Sequence, residues 1–164
     1  MSLLLPVVAD AVAACGAEVE VLACDPGLAD TAAFCAHYGF ALEDAANTIV
    51  VTSKKVEPAL LAVCVVLGTT RLDVNRAVRE RLGVRRASFA DAETTVALTG
   101  MQIGGVTPFG IPGLPLWIDS AVLDRERVVM GGGNRSSKLV LAPQELLRLP
   151  AAEVVEGLAG APTG

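Results

Sequence analysis

Apolar and polar residues follow each other in short blocks along this chain, and the period of each block predicts the element that it forms. Apolar positions with helical continuity fill residues 4–15 and stop at Gly16, which suits the left-handed position after a helix. Three later helices are each introduced by an aspartate, whose carboxylate can accept from first-turn amides, and closed by a glycine. These aspartates are Asp30, Asp73 and Asp91, and the helices end near Tyr38, Leu82 and Leu98.

Strands are predicted where apolar residues alternate with polar ones or where β-branched residues cluster. Residues 18–22 place valines on one face and acids on the other, as a half-exposed strand does. Residues 60–67 are apolar throughout, which indicates burial on both faces and a place in the middle of a sheet. A last helix is expected from Pro143 to Leu149, and a frayed end beyond Gly157. The remaining predicted strands are 46–51, 114–118, 127–130, 138–141 and 154–155.

Length and composition indicate one compact domain spanning residues 1–164. Hydrophobic residues make up 52% of the chain and charged residues 19%, so the composition excludes a disordered protein. The longest apolar run is far too short to cross a membrane, and the first residues lack the basic start of a secretory signal. The whole pattern predicts a cytoplasmic α+β protein, built on a mixed sheet and without a membrane partner.

Side chains that usually carry catalysis are scarce. The four cysteines are widely spaced in apolar surroundings, and His37 is the sole histidine of the sequence. This spacing disfavours a zinc site or a redox dithiol, and it leaves a cysteine or serine nucleophile without an obvious base. We therefore expect the cysteines to be small buried hydrophobes, and we expect no metal and no cofactor.

Positive charge is unevenly distributed along the chain. The net charge is −5, which does not favour a DNA-binding protein, and residues 1–50 contain no lysine or arginine. Six arginines lie between residues 71 and 86, with Lys54 and Lys55 upstream. The arginines form either a local basic face or a solvated helix face partnered by acids on the same helix.

Two glycine-rich segments are the most informative part of the sequence. Residues 100–113 contain five glycines and two prolines, which cannot form a regular helix or strand, and Gly131 begins a second glycine cluster. Neither segment has the spacing of a dinucleotide-binding loop or a P-loop. With Thr107, Asn134 and Arg135 they predict a small pocket that has main-chain amides as donors.

Residues 104–110, Gly-Gly-Val-Thr-Pro-Phe-Gly, and residues 129–135, Val-Met-Gly-Gly-Gly-Asn-Arg, occur in a characteristic order and spacing. They resemble the two loops of the YbaK/prolyl-tRNA synthetase-associated domain family, which contains aminoacyl-tRNA editing deacylases. The resemblance covers about residues 30–149. It implies a barrel-like mixed sheet of about six or seven strands surrounded by helices, and a pocket for the aminoacyl-adenosine end of tRNA.

The resemblance also implies roles for residues. Thr107 and Asn47 are the catalytic candidates, and Asn47 occupies the family's lysine position. The substrate-binding candidates belong to the two loops and are Gly104, Gly105, Pro108, Phe109, Gly132, Gly133, Asn134 and Arg135. The candidates for contacts with the tRNA backbone are Lys54, Lys55, Arg76 and Arg79. The implied partner is the 3′ end of aminoacyl-tRNA, and an aminoacyl-tRNA synthetase is a further candidate.

Asn47 is the main departure from the family. The family's deacylases have a lysine on this strand, whereas the matching stretch here is Asn-Thr-Ile-Val at residues 47–50. A neutral hydrogen bond contributes about 0.5–1.5 kcal/mol, against about 1.5–3 kcal/mol for one to a charged group. Asn47 either orients the substrate with this weaker bond or is a strand-edge amide bonded to a loop.

Three functions are compatible with this sequence. The favoured one is hydrolysis of a mischarged aminoacyl-tRNA ester in trans, since an activated ester needs only a positioned water or ribose hydroxyl and amide donors. The second is a binding module for an amino acid or aminoacyl-nucleotide that lost turnover with the lysine. The third is an unrelated small-molecule enzyme on the same fold.

Overall fold

The computed structural model describes residues 3–161 and contains both α-helices and β-strands, the last five strands following α4 without another α-helix. The α-helices are α1 (Pro6–Cys15), α2 (Thr31–Tyr38), α3 (Arg79–Leu82) and α4 (Ala92–Thr99). The first five strands are β1 (Glu20–Ala23), β2 (Ala46–Ser53), β3 (Leu61–Leu67), β4 (Arg71–Leu72) and β5 (Ala87–Phe89). The others are β6 (Leu116–Asp119), β7 (Val128–Gly131), β8 (Ser137–Leu141), β9 (Ala152–Val155) and β10 (Ala159–Gly160).

The main sheet has five strands in the order β5, β2, β3, β6, β9. Strand β3 lies at its centre and is buried along nearly its whole length, which confirms the prediction from its unbroken apolar run. It pairs antiparallel with β2 and parallel with β6, so the sheet is mixed. The α+β class and the mixed sheet are therefore confirmed.

A second sheet, in the order β1, β8, β7, packs against the first through a shared apolar core. The two sheets meet at one isolated bridge between Ala45 and Val129. Within residues 3–161 the strands do not close into a barrel. Closure would need a ladder of main-chain hydrogen bonds between β7 and the outer edge of β2, and the pairing stops at this single bridge. The strands also exceed the six or seven expected, since β4, β5 and β10 are too short to leave a pattern in the sequence.

Helix ends mostly follow the predicted signals. Gly16, Gly39, Gly83 and Gly100 all adopt the left-handed conformation after their helices. Asp73 accepts from the Arg76 amide at the start of the helical stretch that leads into α3. Asp91 accepts from the Thr94 amide at the start of α4, so two of the predicted caps are confirmed. Asp30 precedes α2 but makes no capping bond, because its carboxylate binds Arg135 at 3.1 Å. That ion pair ties α2 to the second glycine segment.

Residues 158–160 are packed, so the expected fraying is wrong for this part of the tail. Leu158 is fully buried, and β10 pairs with β4. The Asp119 carboxylate, itself buried, accepts from the Ala159 amide at 3.4 Å. Residues 162–164 lie outside the described part. None of the helices in residues 3–161 is long and apolar enough to span a membrane.

Candidate functional site

A cavity of about 320 Å³ opens between the outer edge of β2, helix α2 and the glycine-rich segment before β6. It exists because β5 pairs only with residues 51–53 of β2, which leaves the preceding part of that strand uncovered. One wall is apolar and consists mainly of Phe34, Ile49, Val106, Val129 and Met130. The polar side chains around it are Thr31, Asn47, Thr48, Thr95 and Lys138.

Thr48 brings main-chain polar groups to this cavity. The Val50 carbonyl accepts from the Ala90 amide at 2.9 Å, on the edge of β2 that faces away from β3. Because residues of an antiparallel strand alternate in the direction of their N–H and C=O groups, those of Thr48 point to the same edge. The Thr48 hydroxyl is buried and has no hydrogen-bond partner among the described residues. A ligand in the cavity would meet the main-chain N–H and C=O groups of Thr48, whereas its hydroxyl is enclosed by the protein.

Asn47 is held in a defined orientation. The Thr31 hydroxyl donates to the Asn47 side-chain oxygen at 2.7 Å, across the cavity entrance between α2 and β2. This bond leaves the amide nitrogen, which carries two hydrogens, as the atom of Asn47 that a ligand can meet. Asn47 therefore has features of both interpretations from the sequence. Its side chain is bonded to a neighbouring element, and it also lines the cavity where a substrate could meet it.

Lys138 is the functional candidate that the sequence reasoning missed. Its side chain extends from β8 to the cavity wall, where Nζ donates to the Ala29 carbonyl at 2.6 Å and to the Gly104 carbonyl at 3.0 Å. It also lies 5.4 Å from the centre of the Phe34 ring. The residue is only 5% exposed, and no ion pair to its ammonium occurs within the described residues. The signal in the sequence was a single lysine next to the apolar run Leu-Val-Leu at residues 139–141 of β8.

The environment of Lys138 disfavours its charge. Burial lowers the pKa of the Lys138 ammonium below its ordinary value of 10.5, and the neighbouring Arg135 guanidinium lowers it further. A buried cation without a carboxylate partner is costly unless its donors are used. Two of its three N–H groups reach carbonyls, so one remains for an electron-rich ligand.

This pKa shift predicts a dependence of stability on pH. A lysine whose pKa is lower in the folded state gives stability that is present above its unfolded pKa and lost as pH falls through the folded pKa. The free energy of unfolding of the wild type, relative to Lys138→Met, should therefore increase as pH approaches 10.5. Denaturant unfolding of both proteins across the alkaline range measures this, and a constant difference would contradict it.

The glycines allow the two loops to approach each other through their main chains. A Cβ at Gly105 would overlap the Asn134 carbonyl oxygen, and a Cβ at Gly131 would overlap that of Gly105. The Gly133 amide donates to the Gly105 carbonyl at 2.7 Å. The loops are thus packed backbone against backbone, which only glycine permits.

Of the predicted glycines, Gly104 lines the cavity, and so does Gly131, which the sequence reasoning did not name as a site residue. Gly104 has a φ of +90° and lies against the Arg135 guanidinium. Gly132 packs against Ser137 and Gly133 against α1, so both lie behind the cavity wall. Their predicted contact with substrate stays a prediction.

The other loop candidates are mainly tied to the protein itself. Thr107 and Phe109 are fully buried, and Pro108 lines a different groove beside α1. Asn134 bonds the Leu3 carbonyl, the Ser136 amide and the Ser137 hydroxyl. Arg135 donates to the Pro26 and Ile103 carbonyls and to Asp30, which places it at the junction of three loops. These contacts shape the cavity from outside it.

The basic candidates divide into two groups. Lys54 and Arg79 line a second cavity of about 380 Å³ together with Asn75, Arg85 and Arg86. Lys55 and Arg76 lie outside it, and Arg76 pairs with Asp73 at 3.5 Å. Only two of the four predicted cations therefore share a cavity, and contact with the tRNA backbone stays a prediction for all four.

The comparisons with known proteins agree with this architecture. A family model described as the aminoacyl-tRNA editing domain matches residues 25–149. A crystal structure of the hypothetical protein APE2540 has a TM-score of 0.83 and 26% identity, over 94% of this chain and 99% of that one. Another, of a protein proposed as a trans-editing enzyme for prolyl-tRNA synthetase, has a TM-score of 0.78 and 25% identity, over 92% and 94%.

A third structure extends the fold to a larger protein. A protein from Marinobacter aquaeolei proposed to act in signal transduction shares 18% identity over 95% of this chain and 31% of its own, with a TM-score of 0.65. That likeness concerns the fold alone. The family model, by contrast, spans both glycine segments and the β2 edge that together form the first cavity. This chain therefore belongs to the aminoacyl-tRNA editing domain family.

Proposed function

We propose that this protein hydrolyses the ester of mischarged aminoacyl-tRNA in trans, without a metal, in the cavity beside β2. The observation that carries the proposal is the convergence of donors on one small cavity: the Lys138 ammonium, the Asn47 amide and the Thr48 main chain. Such donors suit an ester carbonyl whose oxygen becomes negative during attack. The family match supports the same substrate.

Water is the proposed nucleophile, because attack by a ribose hydroxyl would only move the aminoacyl group to another ribose oxygen. Cys35 is the thiol that lines the cavity, and burial raises its pKa, so it stays a neutral thiol and a poor nucleophile at neutral pH. An aminoacyl ester needs no covalent intermediate when the attacking oxygen is held near its carbonyl carbon. Lys138 and Asn47 would then stabilise the oxyanion. The 3′ oxygen of the terminal ribose would leave with a proton from the attacking water.

The apolar wall gives the cavity a means of selecting the amino acid. Phe34, Ile49 and Val106 border the space beside the polar groups, so an aminoacyl side chain would pack against them. A size limit of this kind discriminates by about 1–3 kcal/mol for each methylene. Gly104 lines the cavity with its main chain, and a side chain there would displace Arg135 on the outer side of the loop. The proposed specificity is for a small, uncharged aminoacyl group.

The alternative is a binding module for an amino acid or aminoacyl-nucleotide. It is favoured by one observation: no histidine or carboxylate lines the cavity within the described residues, so no side chain there is an evident general base. Deacylation of a panel of mischarged tRNAs separates the two functions. If the wild type releases no amino acid and Asn47→Lys gains activity, the binding module is correct; if both are inactive, the editing function is wrong.

For an active wild type, Asn47→Ala should lower kcat/KM by about two- to tenfold, which corresponds to the loss of a neutral hydrogen bond. Thr31→Val should have a smaller effect, because it frees the Asn47 side chain without removing its amide. Thr52→Ala, on the same strand but beyond the cavity, is the matched control. Equal rates for Asn47→Ala and Thr52→Ala would show that Asn47 does not contact the substrate.

A further inference from the structure

The second cavity is built from cations on three separate segments. Lys54 follows β2, Arg85 and Arg86 precede β5, and Arg79 begins α3. The Lys54 amide donates to the Arg86 carbonyl at 3.0 Å, which extends the β2–β5 ladder and holds these two residues side by side. The Arg79 Nε donates to the Asn75 carbonyl at 2.9 Å, so its guanidinium is anchored beside them. We refer to Lys54, Arg79, Arg85 and Arg86 as the basic cluster.

The basic cluster lacks the carboxylates that neutralise other arginines. Arg125 and Arg135 contact aspartates at 3.0 and 3.1 Å, and Arg81 contacts Glu153. In the part of the chain that the structure describes, the cluster's single carboxylate contact is Glu80 to Arg79 at 3.9 Å. Four cations thus converge with almost no compensation in a protein of net charge −5. Their mutual repulsion is relieved by an anionic ligand.

The two cavities are joined by one short strand. Ala87 at the start of β5 lines the basic cavity, and Ala90 just after its end lines the first. Three residues of extended chain span about 10 Å, since a strand rises about 3.3 Å per residue. Strand β2 connects the two cavities in the same way, because Val50 lines the first cavity and Lys54, just after the strand, lines the basic one. A few nucleotides of single strand would cover this distance.

We propose that the basic cluster binds phosphates of the tRNA acceptor end while the terminal aminoacyl-adenosine occupies the first cavity. This inference rests on the proposed function, because it places the ester in the site beside β2. Cations from three segments that line one cavity of about 380 Å³ can meet more than one phosphate group of a nucleic-acid strand. The side-chain amide of Asn75 adds a neutral donor for a phosphate oxygen.

The first test measures binding of uncharged tRNA by fluorescence anisotropy over a range of salt concentrations. Removing one phosphate-binding cation lowers the slope of log K against log salt by about 0.7–0.9. Arg86→Gln should show this decrease and bind tRNA about three- to tenfold more weakly at moderate salt. Arg148→Gln removes the same charge from an arginine paired with Glu145 at 2.7 Å outside the basic cavity, and it should bind as the wild type does. Equal binding by both variants would overturn the proposal.

The second test separates this inference from the proposed function. Arg85→Gln/Arg86→Gln should raise KM for aminoacyl-tRNA and leave the hydrolysis of aminoacyl-adenosine, which has no phosphate, unchanged. If the wild type binds tRNA through the basic cluster but hydrolyses no ester, the proposed function is wrong and the assignment of the cluster to phosphate binding stands. A duplex DNA of equal charge that binds as tightly as tRNA, or inorganic phosphate that displaces tRNA at equal concentration, would overturn the cluster assignment.

Discussion

Replacing Lys138 with methionine is expected to lower kcat/KM for ester hydrolysis by about 10- to 100-fold, because a hydrogen bond to a charged group is worth about 1.5–3 kcal/mol. Methionine keeps most of the side-chain volume and removes the ammonium that lies at the cavity wall. The effect should be mainly on kcat if the ammonium meets the oxyanion and mainly on KM if it meets the ground-state carbonyl. Steady-state deacylation of the most reactive mischarged tRNA measures it.

Two further variants distinguish a role in the reaction from a role in folding. Lys138→Arg keeps a cation but needs more space in a buried position, so it should retain part of the activity at the cost of some stability. Arg148→Met removes an exposed cation outside both cavities and is the matched control. If Lys138→Met keeps full activity, Lys138 only ties Ala29 to Gly104.

The sequence predicted the framework of the fold because its signals are local. Gly16 and Gly39 end helices where a left-handed residue is needed, and the unbroken apolar run of β3 leads to the centre of the sheet. Barrel closure was not predictable in the same way, because it depends on how β2 and β7 approach in space. Among the described residues their backbones pair at one isolated bridge, between Ala45, just before β2, and Val129.

The candidate site was predicted less completely, and the reason is three-dimensional. Asn47 and Gly104 line the first cavity, as the sequence suggested, but Thr107 and Phe109 turn into the core. Lys138 belongs to a buried strand, and nothing in its neighbours' pattern shows that its ammonium reaches Gly104. A motif identifies a loop, whereas the direction of each side chain depends on what the loop packs against.

The neutral residue on β2 and the unexpected cation on β8 are related by this geometry. Asn47 on β2 is a neutral amide, and the cation of the same cavity is on β8, which belongs to the other sheet. The cavity therefore keeps a positive group although the strand that carries it differs from the one that the resemblance implied. The proposed chemistry requires a donor at a point in space and does not require it on a particular strand.

Gly105→Ala is expected to abolish most activity, by about 100-fold, although Gly105 itself does not line the cavity. Its new Cβ would overlap the Asn134 carbonyl oxygen and lie 2.6 Å from the Asn134 carbonyl carbon. Main-chain atoms cannot rotate away, so the two loops must separate, and the Gly133–Gly105 hydrogen bond of 2.7 Å would be strained or broken. The neighbouring Gly104 carbonyl, which accepts from Lys138, would shift with them.

The same substitution should lower the free energy of unfolding by about 1–3 kcal/mol, as overpacking of a tight contact does. Gly160→Ala is the matched control, since a Cβ there meets no atom of residues 3–161 within 4 Å and its φ does not require glycine. Thermal unfolding and deacylation should be measured on both variants at a temperature where both are folded. Full activity in a folded Gly105→Ala protein would mean that the loop contact does not position the site. Loss of activity well below the melting temperature would mean that the backbone packing of the two glycine segments holds Lys138 and Gly104 in their working positions.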